Sequence, residues 1–262
     1  MAYTETSARP RPPELPAPFY WWGDHLAIEL PGARAAFTTR RGGFSEGPFA
    51  TLNLGRLTAD DPDVVGRNRA ALQSLVAGRL AMIRQVHGPL VLRRTAADQA
   101  SGPAPERELE EADGQATALP GIAPIVLTAD CLPIALTGGG AVAMLHAGWR
   151  GLDEGVIEAG VRAVRELAGG EPALVAAIGP GAGVCCYEVG EEVHERFASC
   201  RDVRHGRHLD LKAIARERLA AAGAVTVHDA GVCTICSPPE LFFSHRRERG
   251  VTGRQAGVVW LT

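Results

Sequence analysis

From Phe19 onward, short apolar runs alternate with turns rich in glycine, proline and aspartate, a pattern that predicts strands at the start of the fold. HLAIEL (25–30) and ARAAFTTR (33–40) read as strands, and RGGFSEG as the turn that follows. The period then changes. In DDPDVVGRNRAALQSLVA, residues Val65, Leu72 and Leu75 fall on one helical face, and Asp61 or Asp63 supplies the N-cap. LAMIRQVHG has strand character, while the polar stretch 97–112, with its proline, glycine and glutamates, reads as a surface loop. Residues 122–146, IAPIVLTADCLPIALTGGGAVAMLH, predict buried strands around a glycine turn. A helix over 152–168 follows, with Ile157, Val161 and Val164 on one face, and then a strand in EPALVAAIGPGAG. EVGEEVHERFASC and LDLKAIARERLAAAG read as helices, the second capped by Asp210 and ended by Gly223. VTVHDAG and GRQAGVVWL are the last strands. This irregular interleaving predicts a single α+β domain of mixed β-sheets covered by helices, rather than a repeated βαβ array. Residues 1–18, with five prolines and no apolar period, predict an extended, disordered arm ahead of a folded domain over 19–262.

Composition narrows the function. A chain of 262 residues with 46% hydrophobic and 22% charged content supports a real core, and 27 basic against 30 acidic residues leave a formal charge of −3 with no long block of one sign. That balance gives no footprint for nucleic acid or a membrane surface and points to a small substrate. No apolar run reaches the ~18 residues of a membrane span, and the N-terminus lacks a basic-then-apolar leader, so a cytoplasmic protein is expected. Six cysteines, at 131, 185, 186, 200, 233 and 236, suit reduced thiols or metal ligands better than a disulfide scaffold. Cys233 and Cys236 form a single CxxC; with no second pair evident, a zinc knuckle is not expected there.

The glycine turn can be used quantitatively. If Gly138 and Gly139 turn a two-residue hairpin, Cys131 lies directly opposite His146, with Cβ atoms roughly 4.5–5.5 Å apart. A turn at Gly139 and Gly140 pairs them differently. A third donor stands in RQVHG, where His87 ends an apolar segment. Together His87, Cys131 and His146 make a mixed nitrogen and sulfur set that suits Zn²⁺ with a fourth position open. Each alone is more often an inert packing or surface group. Asp130 and Asp113 (in ADGQAT) are carboxylates placed to orient imidazoles or carry a proton, or equally to shape turns. Arg150 and Gly151 lead into the 152–168 helix, whose positive end favours an anion. FFSHRR gathers Phe243, His245, Arg246 and Arg247, where a base can stack and a phosphate can pair; a strand end with a basic rim is the plainer reading.

FTTRRGGFSEGPFATLNLG, RQVHG, ADGQAT, TADCLPIAL, HAGWRG, IGPGAGVCCYEVG, FFSHRR and TGRQAGVVWL, in that order, resemble the YfiH-like laccase-domain family of purine nucleoside phosphorylases, from about Phe37 to the C-terminus. Departures are local: Gly181–Ala182 after IGP, Val184 before the cysteine pair, and His245 where tyrosine is common. The resemblance implies a zinc ion on His87, Cys131 and His146. It also implies phosphate-dependent cleavage of adenosine, inosine, guanosine and methylthioadenosine, together with adenosine deamination. Purine nucleoside and phosphate are then the partners, Asp130 or Asp113 carries a proton, and Arg40, Arg150 or Arg247 meets phosphate, with Arg40 ranked first and Arg41 close behind. Copper is the disfavoured alternative, because the eight histidines include no His-x-His pair. Two rival readings use the same residues. One is a cysteine–histidine hydrolase acting on peptidoglycan precursors, with Cys131 as nucleophile and His146 as base; the other is a nucleoside-binding protein without turnover. The sequence leaves the oligomeric state open.

Overall fold

A computed structural model describes residues 13–96 and 109–262. Most of the expected 97–112 loop, and residues 1–12 of the expected arm, lie outside the described residues. Residues 13–18 do not stand away from the domain: Trp21 Nε1 donates to the Pro13 carbonyl at 3.0 Å, and Leu15 packs against the core.

Two six-stranded sheets make up the centre. The first runs β1 (Tyr20–Trp22), β2 (His25–Leu30), β3 (Ala33–Phe37), β14 (Gln255–Leu261), β7 (Ile122–Thr128) and β4 (Arg79–Ala81). The second runs β13 (Ala224–Asp229), β10 (Leu174–Ile178), β8 (Leu132–Gly138), β9 (Ala141–Ala147), β6 (Gly114–Thr117) and β5 (Val91–Arg93). Most pairs are antiparallel, but β4–β7, β5–β6 and β10–β13 are parallel, so the sheets are mixed as expected. A short hairpin, β11 (Arg204–His205) with β12 (His208–Leu209), lies apart from them.

Strand alternation explains the layering. On β8 and β9, Ile134, Leu136, Ala143 and Leu145 face helices α3 (Val156–Ala168) and α4 (Leu211–Ala221), while Ala135, Val142 and Met144 face Phe37, Val126 and Val259 of the first sheet. Both faces are therefore buried, which is why these strands read as continuous apolar runs. Helix α1 (Pro62–Leu75) covers the outer face of the first sheet through Leu72, giving helix, sheet, sheet, helix in succession. The caps fall where the sequence puts them: Asp61 accepts from the Asp63 N–H, and Asp210 from the Ala213 N–H. Leu75 departs from expectation; it ends the helix at 48% exposure.

Two further differences bear on the site. The hairpin turns at Gly139 and Gly140, with φ of 58° and 79°, so Pro133 faces His146 and Leu132 faces Ala147. Gly138 is held in the strand because β10 packs against it: a Cβ there would lie 2.7 Å from Leu174 Cδ2. Moving the turn by one residue shifts each partner by two and preserves the face, so Cys131 sits diagonal to His146 instead of opposite it. The predicted 152–168 helix is also two helices, α2 (Trp149–Glu154) and α3, broken at Gly155 with φ 93°.

Candidate metal centre

Asp113 organises the centre. It is fully buried, immediately before β6, and its carboxylate accepts the backbone N–H groups of three successive residues: Val86 (3.1 Å), His87 (2.9 Å) and Gly88 (2.7 Å). Those bonds hold His87 in the left-handed region, φ 64°, a conformation that a residue with a Cβ seldom adopts unaided. The same carboxylate meets His146 Nδ1 at 2.7 Å, which fixes the ring and leaves Nε2 for the centre. Burial alone would raise the Asp113 carboxyl; His146 and the backbone donors override it and hold it below its ordinary value.

His87, Cys131 and His146 converge, with their ligand-capable atoms all within 4.8 Å of one another. The two imidazoles meet edge to face at 4.8 Å between centroids. His146 is buried, Cys131 half-buried and His87 exposed, so the cluster opens on one side. Burial would push the Cys131 thiol up, yet the charge and hydrogen bond of His146, aided by His87, bring it down to about 6. His146 responds in the opposite sense. Burial lowers it, but Cys131 and Asp113 lift it to about 9, so each of the pair favours the charged form of the other.

The surroundings leave room for an ion. Gly148 closes the floor of the cluster, and a Cβ there would lie 2.9 Å from Cys131 Sγ and 3.3 Å from His87 Cδ2. One thiolate, two imidazoles, a carboxylate fixing one of the rings and an open side fit a divalent cation of borderline softness.

The other expected residues scatter. Asp130, expected as a proton carrier, adopts φ 91° and is buried; its carboxylate accepts from Thr234 Oγ1 (2.7 Å), Ser244 Oγ (3.1 Å) and the Arg246 N–H (2.8 Å). It holds loops around Cys131 in place. Arg40, ranked first for phosphate, is 9% exposed over the Phe243 ring and donates to the carbonyls of Pro48, Ala50 and Pro239 and to Glu248. Arg247 is similarly committed to the carbonyls of Thr234, Ile235, Ser237 and Phe242 and to Glu248. Neither guanidinium is turned to a ligand. Phe243 is fully buried, which removes it as a stacking platform, and His245 stands on the exposed side. Arg150 alone of the three keeps an exposed guanidinium, lying over its neighbour Trp149 at 4.3 Å.

Two neighbours were not anticipated. Tyr187 feels the charges of Cys131, Asp130, Arg246 and Arg150, and burial, reinforced by the two anionic groups, pushes its hydroxyl up to about 12. Arg254 is pulled below its ordinary value by burial and supported by Cys131 and Asp130. The available signals were a tyrosine in CCYEVG and an arginine opening the last apolar strand, neither distinctive without the fold.

Residues 34–262 match the family described as multi-copper polyphenol oxidoreductase laccase. The chain belongs to the YfiH-like laccase-domain family. A purine nucleoside phosphorylase of Pseudomonas aeruginosa is 40% identical over 240 residues, covering 87% of this chain and 93% of that one. The purine nucleoside phosphorylase YfiH of Escherichia coli K12 is 38% identical over 244 residues, covering 88% and 94%. Among solved structures, YlmD of Geobacillus stearothermophilus matches with a TM-score of 0.84 at 33% identity over 93% of this chain and 98% of that one; a YfiH protein of Bacillus licheniformis matches with 0.84 at 31% over 94% and 100%. This YfiH-like chain thus has the α+β fold its sequence predicts, and no helix among its described residues is long and apolar enough to cross a membrane.

Proposed function

We propose that this centre cleaves purine nucleosides by phosphorolysis. The observation that carries the reading is the convergence of His87, Cys131 and His146 on one open-sided point, ordered by Asp113, in a chain whose relatives bear the name purine nucleoside phosphorylase. A phosphate oxygen bonds to the anomeric carbon as the glycosidic C–N bond breaks. The bonding pair leaves with the purine, which takes up one proton, giving free base and ribose 1-phosphate. Positive charge develops on the sugar, so an anion held beneath it lowers the barrier.

Arg150 is assigned to phosphate because its guanidinium is exposed beside the centre and makes no hydrogen bond or ion pair among the described residues. Arg246 and Arg254 add positive potential around Cys131. Asp113 keeps His146 in one tautomer, and Asp130 positions the loop that carries Cys131. His87, Cys131 and His146 would hold zinc, which when bound would supply Lewis acidity to the centre. Zinc is preferred to copper because multi-copper oxidation draws on paired histidines that this chain lacks. Adenosine, inosine, guanosine and methylthioadenosine are the proposed nucleosides, and adenosine deamination a second activity of the same centre. A cytoplasmic location is supported by six cysteines that remain free thiols.

One specific observation favours a second reading. A thiol brought to about 6 beside an imidazole lifted to about 9 is the state a cysteine nucleophile uses. Incubating the full chain with inosine and phosphate, then separating products by chromatography, tests the leading reading: hypoxanthine and ribose 1-phosphate appear, and neither forms with Cys131→Ala. Loss of activity on chelation supports the metal centre. A chelator-resistant enzyme that hydrolyses amides and is silenced by alkylation supports the hydrolase, and tight inosine binding with no hypoxanthine supports a binding protein.

A further inference from the structure

The CxxC at Cys233 and Cys236 has a second pair after all. Folding brings Cys185 and Cys186, from the turn after β10, against it, and the four sulfur atoms lie within 4.8 Å of one another. Cys185 Sγ is 3.6 Å from Cys236 Sγ and 3.5 Å from Cys186 Sγ. Four thiolates around one zinc at Zn–S distances of about 2.3 Å have sulfurs about 3.8 Å apart, so small side-chain adjustments suffice.

The backbone supports the same reading. Cys233 Sγ accepts the Gly183 N–H at 3.2 Å and also the N–H groups of Ile235 and Cys236, the second and third residues after it. Such N–H donors stabilise sulfur carrying negative charge, and a turn that points two of them back at the first cysteine of a CxxC is shaped to hold a thiolate. Gly183 completes the cradle. A Cβ there would lie 3.0 Å from Cys233 Cβ, 3.3 Å from Cys185 Sγ and 3.4 Å from Cys233 Sγ, so a side chain would press into the cluster. The two segments are joined by a bridge between Gly181 and Cys233, with the Thr234 N–H donating to the Gly181 carbonyl at 3.0 Å.

We propose that Cys185, Cys186, Cys233 and Cys236 bind a structural zinc ion, distinct from the His87–Cys131–His146 centre. An all-sulfur tetrahedral set leaves no coordination position for substrate, which marks the site as a staple. What it staples is specific. Thr234, inside the CxxC, donates to Asp130; Ala182 donates its N–H to the Asp130 carbonyl at 2.7 Å; and Tyr187, next to Cys186, faces the charge of Cys131. The ion therefore fixes two loops that frame the first centre.

The test counts ions and reads their ligands, so it does not depend on the proposed phosphorolysis. The full chain carrying Cys131→Ala is purified under reducing conditions, stripped, reloaded with Zn²⁺ and analysed by elemental mass spectrometry. A parallel sample is loaded with Co²⁺ for absorption spectroscopy. The expected result is about one zinc per chain and a cobalt spectrum with intense sulfur-to-metal charge transfer and tetrahedral d–d bands. Adding Cys185→Ser and Cys236→Ser, both at exposed positions, abolishes the ion and the spectrum while the far-ultraviolet dichroism stays folded. Because that variant can lose stability with its ion, Cys236→His is made beside it; a histidine ligand keeps the zinc and weakens the charge-transfer band. A Cys131→Ala chain that takes up no zinc, or one that keeps its zinc and its cobalt spectrum without Cys185 and Cys236, overturns the proposal.

Discussion

The His87–Cys131–His146 centre and the four-cysteine cluster share neighbouring loops, yet they are built from different materials. The first mixes two imidazoles with one thiol, takes its order from a buried carboxylate, and opens on the side of exposed His87. The second is all sulfur, takes its order from backbone N–H groups, and carries Cys185 and Cys236 at the surface. Three donors leave a vacancy for chemistry; four sulfurs leave none. The difference teaches that thiols serve opposite ends within one fold, according to what surrounds them.

The largest effect that can break this contrast is Cys131→Ala. Removing this proposed ligand of the open centre is expected to lower the proposed phosphorolysis by about 10³-fold or more, several kcal/mol of transition-state stabilisation, with the melting temperature nearly unchanged. Cys236→Ser is expected to do the reverse: it lowers the melting temperature and leaves most of kcat. Equal losses of activity from both, measured by steady-state release of hypoxanthine, would dissolve the distinction.

A second comparison sets the glycines side by side. Gly148→Ala drives a Cβ to 2.9 Å from Cys131 Sγ, and Gly183→Ala drives one to 3.3 Å from Cys185 Sγ. The first is expected to weaken zinc binding and activity at the open centre by about 10–100-fold, the range seen when support around a metal ligand is disturbed. The second is expected to weaken only the other ion. Competition with a chromogenic chelator reads both affinities.

Much of this was legible in the sequence because strand and helix periods are local. The runs 25–30, 122–146 and 255–261 declared their strands, and Asp61 and Asp210 declared their helix starts. The three candidate donors, His87, Cys131 and His146, could also be named from the sequence, and the fold brings them together. A hairpin keeps side chains on one face even when its turn moves by one residue, so Cys131 and His146 stay neighbours on one face although the predicted direct pairing gives way to a diagonal one. What sequence could not show is which arginines are spent. Arg40 and Arg247 look free beside flexible glycines, but carbonyl groups from remote loops capture them, and only the fold reveals those partners. The second cysteine pair was hidden for the same reason: its partner CxxC lies on a distant segment, tied back through the Gly181–Cys233 bridge.

Arg150 sharpens the contrast from the substrate side. Arg150→Ala is expected to raise KM for phosphate about tenfold, about 1.4 kcal/mol, with little change in KM for inosine and none in zinc content. A rise in both KM values, or a loss of metal, would move Arg150 from the phosphate to the architecture of the centre.

Glu248 carries the smallest predicted effect and probes the frame behind the cysteine cluster. Its carboxylate takes bonds from Thr252, the Ser244 N–H, Arg40 and Arg247, and Arg247 in turn holds the carbonyls of Thr234, Ile235 and Ser237 along the CxxC turn. Burial would raise the Glu248 carboxyl, but Thr252, Arg247 and the other donors outweigh it and hold it below its ordinary value. Because the folded value is depressed, its contribution to stability is fully present above the unfolded value and is lost as pH falls through the folded one. Glu248→Gln is therefore expected to cost about 1 kcal/mol at pH 7, and the gap between variant and wild type should close as pH falls through the folded value. Urea unfolding at several pH values reads both. A gap that persists in acid would mean that shape at position 248, and not its charge, supports the turn on which the two cysteines stand.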